Sequence, residues 1–157
     1  MVSAADVDET VRDGEVPEDY ALRVAEDKAN SVVAGPDDVV LGADTIVVID
    51  GQILGKPADN DDAVRMLSLL QGRKHDVITG MCIRKSRQVV RDWAATKVWF
   101  AAMSDDQIRE YVASGEPRDK AGAYAIQGLA SKFIERIDGS YSNVVGLPVA
   151  LVYKHLR

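Results

Sequence analysis

Apolar positions recur along this chain with two periods, one helical and one extended. From Pro17 the residues Ala21, Val24, Ala25, Lys28 and Val32 fall on one side at helical spacing. Pro17 suits a first turn, and Gly35-Pro36 ends the segment. A second helix is predicted where Asp59 or Asn60 can cap a stripe of Ala63, Val64, Leu67 and Leu70, closed by Gly72. Ser104-Asp105-Asp106-Gln107 reads as a capping box opening a helix through Tyr111, with Gly115 at its C-terminal end. Leu147 to Leu156 is predicted as a closing helix. The extended period appears between His75 and Phe100, where VITGMCIRK and VVRDWAATKVWF are joined near Ser86-Arg87, and again from Lys132 to Ile137. Gly122 to Gly128 is glycine-punctuated and reads as a tight or functional loop. No internal repeat or linker interrupts the pattern, which predicts one α/β unit with a mixed, twisted sheet and flanking helices.

Val39 to Pro57 organises the rest. A buried apolar strand (Val39 to Leu41) is interrupted by Asp44, resumes at Ile46 to Ile49, turns at Asp50-Gly51, and returns to Gly55-Lys56-Pro57. A carboxylate inside an apolar strand costs several kcal/mol unless it is paired. The hairpin brings Lys56 to roughly the level of Asp44, within a residue or two of register. An acid and a lysine so placed hold a metal ion and a phosphate, or form a structural ion pair at a strand end; spacing leaves both open.

Composition narrows the chemistry. With 157 residues, 46% hydrophobic and 28% charged, the chain has the makings of one globular domain with a sizeable core. Its formal net charge of −6 argues against nucleic acid or an anionic membrane as a partner by global electrostatics, and leaves room for a small anion held by local lysines. Cys82 is the single cysteine and His75 and His155 the only histidines, so a disulfide framework and a Cys/His zinc site are both disfavoured. Any metal is expected to be a hard cation on oxygen ligands. The N-terminus lacks a basic-then-apolar leader, and the longest apolar stretch, Val144 to Tyr153, is too short to span a bilayer. A cytoplasmic protein is the expectation.

Gly51 to Pro57 fails as a phosphate-binding P-loop: three residues separate its glycines where four are needed, and Pro57 stands in place of the magnesium-binding Ser/Thr. No dinucleotide fingerprint and no nucleophile elbow is present, which favours metal-assisted attack by water over a covalent nucleophile. Lys28, on an otherwise apolar helix face, either snorkels to solvent or points into a cleft as a phosphate contact. Lys120, before Ala121-Gly122-Ala123, either meets a ligand or belongs to an ordinary turn. Gln127 either reads a base edge through its paired donor and acceptor or satisfies local backbone. Thr79-Gly80 carries the same ambiguity. His75 reads as a structural hydrogen bonder, and Trp93 and Trp99 share a sheet face, where packing is their expected job.

Taken together these segments resemble the Maf family of nucleoside triphosphate pyrophosphatases. Gly42-Ala43-Asp44-Thr45, Gly55-Lys56-Pro57, Gly72-Arg73 with His75, Thr79-Gly80 and Gly115-Glu116-Pro117 carry the match. So do Asp119-Lys120-Ala121-Gly122-Ala123-Tyr124-Ala125-Ile126-Gln127-Gly128 and Gly139 to Pro148. The resemblance implies an α/β fold with a nucleotide cleft, homodimers, a divalent cation (Mg2+ or Mn2+), and cleavage between the α- and β-phosphates to a monophosphate and pyrophosphate. It implies that Asp44 is the proton acceptor that activates water and that Glu9 is a second acid at the metal. Lys28 and Lys56 would bind the triphosphate, with Lys120 and Thr79 among the substrate contacts, and Thr45 and Gln127 would select the base. The Ala-Ile-Gln-Gly form is similar to the branch acting on dTTP, UTP and modified pyrimidine nucleotides, a house-cleaning role. The alternatives are a 7-methyl-GTP enzyme and a catalytically silent nucleotide-binding regulator of cell division. Family members normally begin with a first strand and a Ser-x-Ser-Pro-Arg-Arg phosphate loop. This chain starts at Met1-Val2-Ser3, just upstream of Glu9, so a domain over residues 1–157 with an abbreviated N-terminus is expected. Loss of that clamp is expected to impair turnover and to leave a sheet edge for a partner chain.

Overall fold

The computed structural model describes residues 1–157. Its centre is a sheet built from two tight hairpins. Asp50 and Gly51 both take positive φ (50° and 73°), the primed turn that Asp-Gly favours, and join β1 (Val39–Ile49) to β2 (Gln52–Leu54). Ser86-Arg87 joins β3 (Lys74–Lys85) to β4 (Gln88–Phe100), with Lys85 opposite Gln88. With β5 (Ile134–Asp138) the strand order is β2-β1-β3-β4-β5. The α/β architecture is as expected, but the pairing is antiparallel in all four ladders rather than mixed. No helical crossover returns a strand parallel to its neighbour, so parallel pairing has no route.

Helices cover both faces. On one lies α1 (Pro17–Asn30), which buries Tyr20, Ala21, Val24, Ala25 and Ala29. It lies unusually close because two strand positions lack a side chain. A Cβ on Gly42 would sit 2.2 Å from the Ala25 carbonyl oxygen, and one on Gly80 would sit 2.4 Å from Ala21 backbone. The helix ends at Asn30, short of Val32 and Gly35, so the predicted stripe overran it by a turn.

The opposite face carries the main core, where Val47, Val98 and Phe100 meet Leu67 and Leu70 of α2 (Asn60–Leu70) and Ile108 of α3 (Asp105–Ala113). Asp59 caps α2 by accepting from Asp62 N at 2.8 Å, and Ser104 with Gln107 forms the capping box predicted for α3. Three single 3₁₀ turns (Glu116–Asp119, Ala121–Ala123, Leu129–Phe133) then lead into β5. The closing helix α5 is Val149–Leu156, and a short helix not foreseen from the sequence, α4 (Tyr141–Val145), precedes it. Trp99 packs beneath the Arg136 guanidinium, whereas Trp93 is 42% exposed and does not share the packing role expected of both.

The decisive feature for function is how short β2 is. Its ladder covers only Val47 to Ile49, so the β2 side of β1 has no strand partner from Val39 to Ile46. Pro57 lacks an N–H, and the Gly55 carbonyl accepts from Gly122 N at 3.1 Å instead of from β1. The sheet therefore opens at Asp44.

Candidate functional site

A cleft of about 290 Å³ lies where β1 loses its partner. Charged groups gather at one end, with Asp44 and Lys28 beside Glu9 and Lys56. Apolar walls from Val47, Tyr124, Ile126, Val144 and Val145 form the other. The size matches the lower end of small-molecule sites. A charged end joined to an apolar slot is the partition required by a ligand with a polyanionic tail and a flat ring.

Each charged residue is delivered by a local reason. Asp44 faces α1, where the fourth helical turn presents Lys28; its Nζ donates to Asp44 Oδ1 at 2.7 Å. Glu9 precedes the helix and is brought across it by two anchors. Tyr20 Oη donates to the Glu9 carbonyl at 2.7 Å. The Arg23 guanidinium reaches the carbonyls of Asp8 and Thr10 at 3.3 and 2.9 Å and is itself held by Glu15 at 2.7 Å. Glu9 Oε1 thereby comes within 3.0 Å of the same Lys28 ammonium.

Burial disfavours the ionised form of Asp44 and pushes its pKa up, more than the Lys28 hydrogen bond and charge pull it down; the Glu9 carboxylate adds to the upward shift. For Lys28, burial works against the ammonium, but hydrogen bonds and charge from Asp44 and then Glu9 outweigh it and hold the pKa above the ordinary lysine value. Asp44 is thus a carboxylate raised toward a useful basicity beside a firmly protonated lysine.

Thr45 points to the other face of β1. Its hydroxyl lies 2.9 Å from Thr79 Oγ1 and donates to the Gly146 carbonyl at 3.2 Å. Thr79 is fully buried one strand behind, donating to the Asn143 carbonyl at 3.3 Å, and meets the cleft only through Thr45. Asn143 is itself wholly buried, donating to the Val77 carbonyl and Thr96 Oγ1, both at 3.1 Å. That anchor fixes α4 and places Val145 and Gly146 at the apolar end.

Lys120 and Gln127 approach from the opposite bank. Gly122, at φ +67°, holds this bank close: a Cβ there would meet Val47 Cγ2 at 2.6 Å. Beneath it His75 Nε2 lies 2.7 Å from Tyr124 Oη in an edge-packed cluster with Phe100. Burial lowers the His75 pKa to about 4, so it holds the wall as a neutral ring, in the structural role expected of it.

Of the residues singled out in the sequence, Glu9, Lys28, Asp44, Thr45, Lys56, Lys120 and Gln127 line this cleft, and Thr79 does not. The sequence reading missed Tyr20, Tyr124, Ile126, Val145 and Gly146. Tyr20 carried a signal, since Tyr20, Val24 and Lys28 share one helix face at intervals of four. Gly146 carried none, because only the Asn143 anchor brings it to the strand.

The residues present suit a divalent cation. The Glu9 and Asp44 carboxylates converge on one cationic position, taken here by the Lys28 ammonium. No group of three or more His, Cys, Asp or Glu side chains in the chain is arranged to hold a metal ion. A site with two carboxylates matches magnesium, which characteristically uses one or two of them and completes its shell with water and substrate phosphate oxygens.

Comparison with known proteins covers the whole chain. A family model described as "Maf-like protein" matches residues 1–157. A Koribacter versatilis protein named dTTP/UTP pyrophosphatase is 48% identical over 157 residues, covering 99% of this chain and 81% of its own length. Proteins of that name from Anaeromyxobacter dehalogenans and Geobacter metallireducens are each 52% identical, covering 99% of this chain and 81% and 83% of their own lengths.

Proposed function

Because the chain belongs to the Maf family, we propose that it is a nucleoside triphosphate pyrophosphatase that hydrolyses dTTP, UTP and modified pyrimidine nucleotides between the α- and β-phosphates. The observation that carries this reading is Asp44, a partly buried carboxylate with a raised pKa bridging to Lys28 at the charged end of a cleft whose other end is apolar.

Asp44 accepts the proton of the water that attacks the α-phosphorus; the bond to the β-phosphate oxygen breaks, leaving a nucleoside monophosphate and pyrophosphate. Lys28, Lys56 and Lys120 offset the charge that grows on the departing pyrophosphate, a form of electrostatic stabilisation that gains strength in a partly water-excluded site. Thr45 and Gln127 contact the base. Glu9 and Asp44 would hold Mg2+ or Mn2+, which supplies Lewis-acid polarisation of phosphate and a more acidic bound water.

The same reading places the protein in the cytoplasm, as a scavenger of noncanonical nucleotides. No helix is long and apolar enough to cross a membrane. It also makes the protein a homodimer, supported by the apolar face of α5, where Val149, Tyr153 and Leu156 are 57, 65 and 53% exposed.

The test is the rate of pyrophosphate release from dTTP, UTP and 7-methyl-GTP with Mg2+ or Mn2+. Faster release from dTTP and UTP is expected. A preference for 7-methyl-GTP would move the chain to the other branch, and tight dTTP binding with no product would make it a binding protein.

A further inference from the structure

Gln127 sits on a segment with no helix or strand of its own, yet both ends of that segment are tied. Ala125 N donates to Tyr111 Oη at 3.2 Å, and Leu129 N donates to Glu116 Oε1 at 2.9 Å. The Tyr111 hydroxyl donates to the other Glu116 oxygen, so the two anchors are joined to each other. Between them the turn is closed by Gly128 N donating to the Ala125 carbonyl at 3.1 Å.

Glycine at 128 is part of the device. A Cβ there would lie 1.8 Å from Glu116 Oε1, so any larger residue would drive the carboxylate off Leu129. The clamp is rooted in the core. Tyr111 is 4% exposed on α3 and packs edge-on against Phe133. Burial first, and the Glu116 carboxylate second, push the Tyr111 pKa well up, so its hydroxyl stays a donor. Neither Tyr111 nor Glu116 lines the cleft.

We propose that Tyr111 and Glu116 are positioning residues that fix the Ala125–Leu129 segment, and through it set the enzyme's discrimination between thymine or uracil and other bases. The inference rests on the reading of Gln127 as a base contact. An amide distinguishes a carbonyl from an amino group on a pyrimidine only if its donor and acceptor ends are held in place. A segment free to shift by an ångström would let either end meet either base.

The experiment compares kcat and KM for dTTP and dCTP in Tyr111→Phe, Glu116→Gln, Gln127→Ala and the Tyr111→Phe/Gln127→Ala double variant. Tyr111→Phe keeps the buried ring and removes only the hydroxyl. Glu116→Gln keeps one acceptor for Leu129 N and puts a donor-only NH2 opposite Tyr111, so the Tyr111 O–H loses its acceptor. Each clamp variant is expected to raise the dTTP KM about tenfold, with kcat changed far less, and to lower the dTTP-over-dCTP ratio of kcat/KM about tenfold. The double variant should be no less selective than Gln127→Ala alone, because both changes act on one contact. Gly128→Ala, which displaces the Glu116 carboxylate without substituting either clamp residue, should behave in the same way.

Loss of selectivity in Gln127→Ala with wild-type selectivity in both clamp variants would overturn the proposal. Loss in the clamp variants with none in Gln127→Ala would support the clamp and reject Gln127 as the base contact. Unchanged selectivity in all of them would reject both.

Discussion

Asp44 sets the chemistry of this protein through the competition around it. Burial raises its pKa, the Lys28 ammonium 2.7 Å away lowers it, and burial wins. As proton acceptor Asp44 must be ionised, so activity is lost as pH falls through its raised pKa. In the metal-free protein the Asp44 carboxyl is accordingly expected to titrate above the ordinary aspartate value of 3.8. Titration at or below that value, followed by carboxyl ¹³C NMR of the metal-free protein, would contradict the burial argument for Asp44. Asp44→Asn keeps the shape and removes the basicity, and should lower kcat by roughly a thousandfold. If the variant turned over dTTP at the wild-type rate, the assigned mechanism would be wrong. At this scale the sequence was informative but incomplete. A carboxylate in a β-branched run demanded a partner, and the hairpin pointed to Lys56. The partner actually in hydrogen-bond contact is Lys28, from a helix whose close packing on β1 and β3 depends on Gly42 and Gly80.

At the scale of elements, the fold was legible wherever a local rule decided it. Asp50-Gly51, Ser86-Arg87, the Asp59 cap and the Ser104 capping box each act within a few residues, and all four are where local chemistry puts them. No local rule placed Glu9, which only the family resemblance singled out, and none announced α4. Glu9 is positioned by Tyr20 and Arg23 gripping backbone carbonyls, and α4 by a buried asparagine reaching two strands, arrangements with no sequence period. The close seating of α1 yields a direct test. Gly80→Ala places a carbon 2.4 Å from helix backbone, which has no rotamer with which to move aside. It should destabilise the protein by roughly 3 kcal/mol and weaken catalysis by shifting Lys28. Gly55→Ala, with nothing within 4 Å of the added carbon, is the comparison. Urea titration of the two variants measures the difference, and equal midpoints would refute the close-packing argument.

At the scale of the whole molecule, an acidic chain of net charge −6 is proposed to bind a polyanion. It does so locally, since Lys28, Lys56 and Lys120 converge on one cleft while the excess of acids lies elsewhere. The proposed dimer is an equally global property. Its association should be abolished by Tyr153→Glu, which puts a charge in the middle of the exposed α5 face. Sedimentation velocity would show the shift to monomer, and an unchanged dimer would place the interface elsewhere. Composition alone disfavours zinc and disulfide chemistry, but it could not indicate where β1 loses its partner, because the end of β2 depends on the Gly55 carbonyl turning to Gly122 as well as on Pro57.

Attack by Asp44-activated water on the α-phosphorus leaves an isotopic record: dTTP hydrolysed in ¹⁸O-enriched water with Mg2+ or Mn2+ should give dTMP carrying the ¹⁸O and unlabelled pyrophosphate, read by ³¹P NMR. Asp44→Asn should lose both products. Label in the pyrophosphate, or products dTDP and phosphate, would contradict attack at the α-phosphorus.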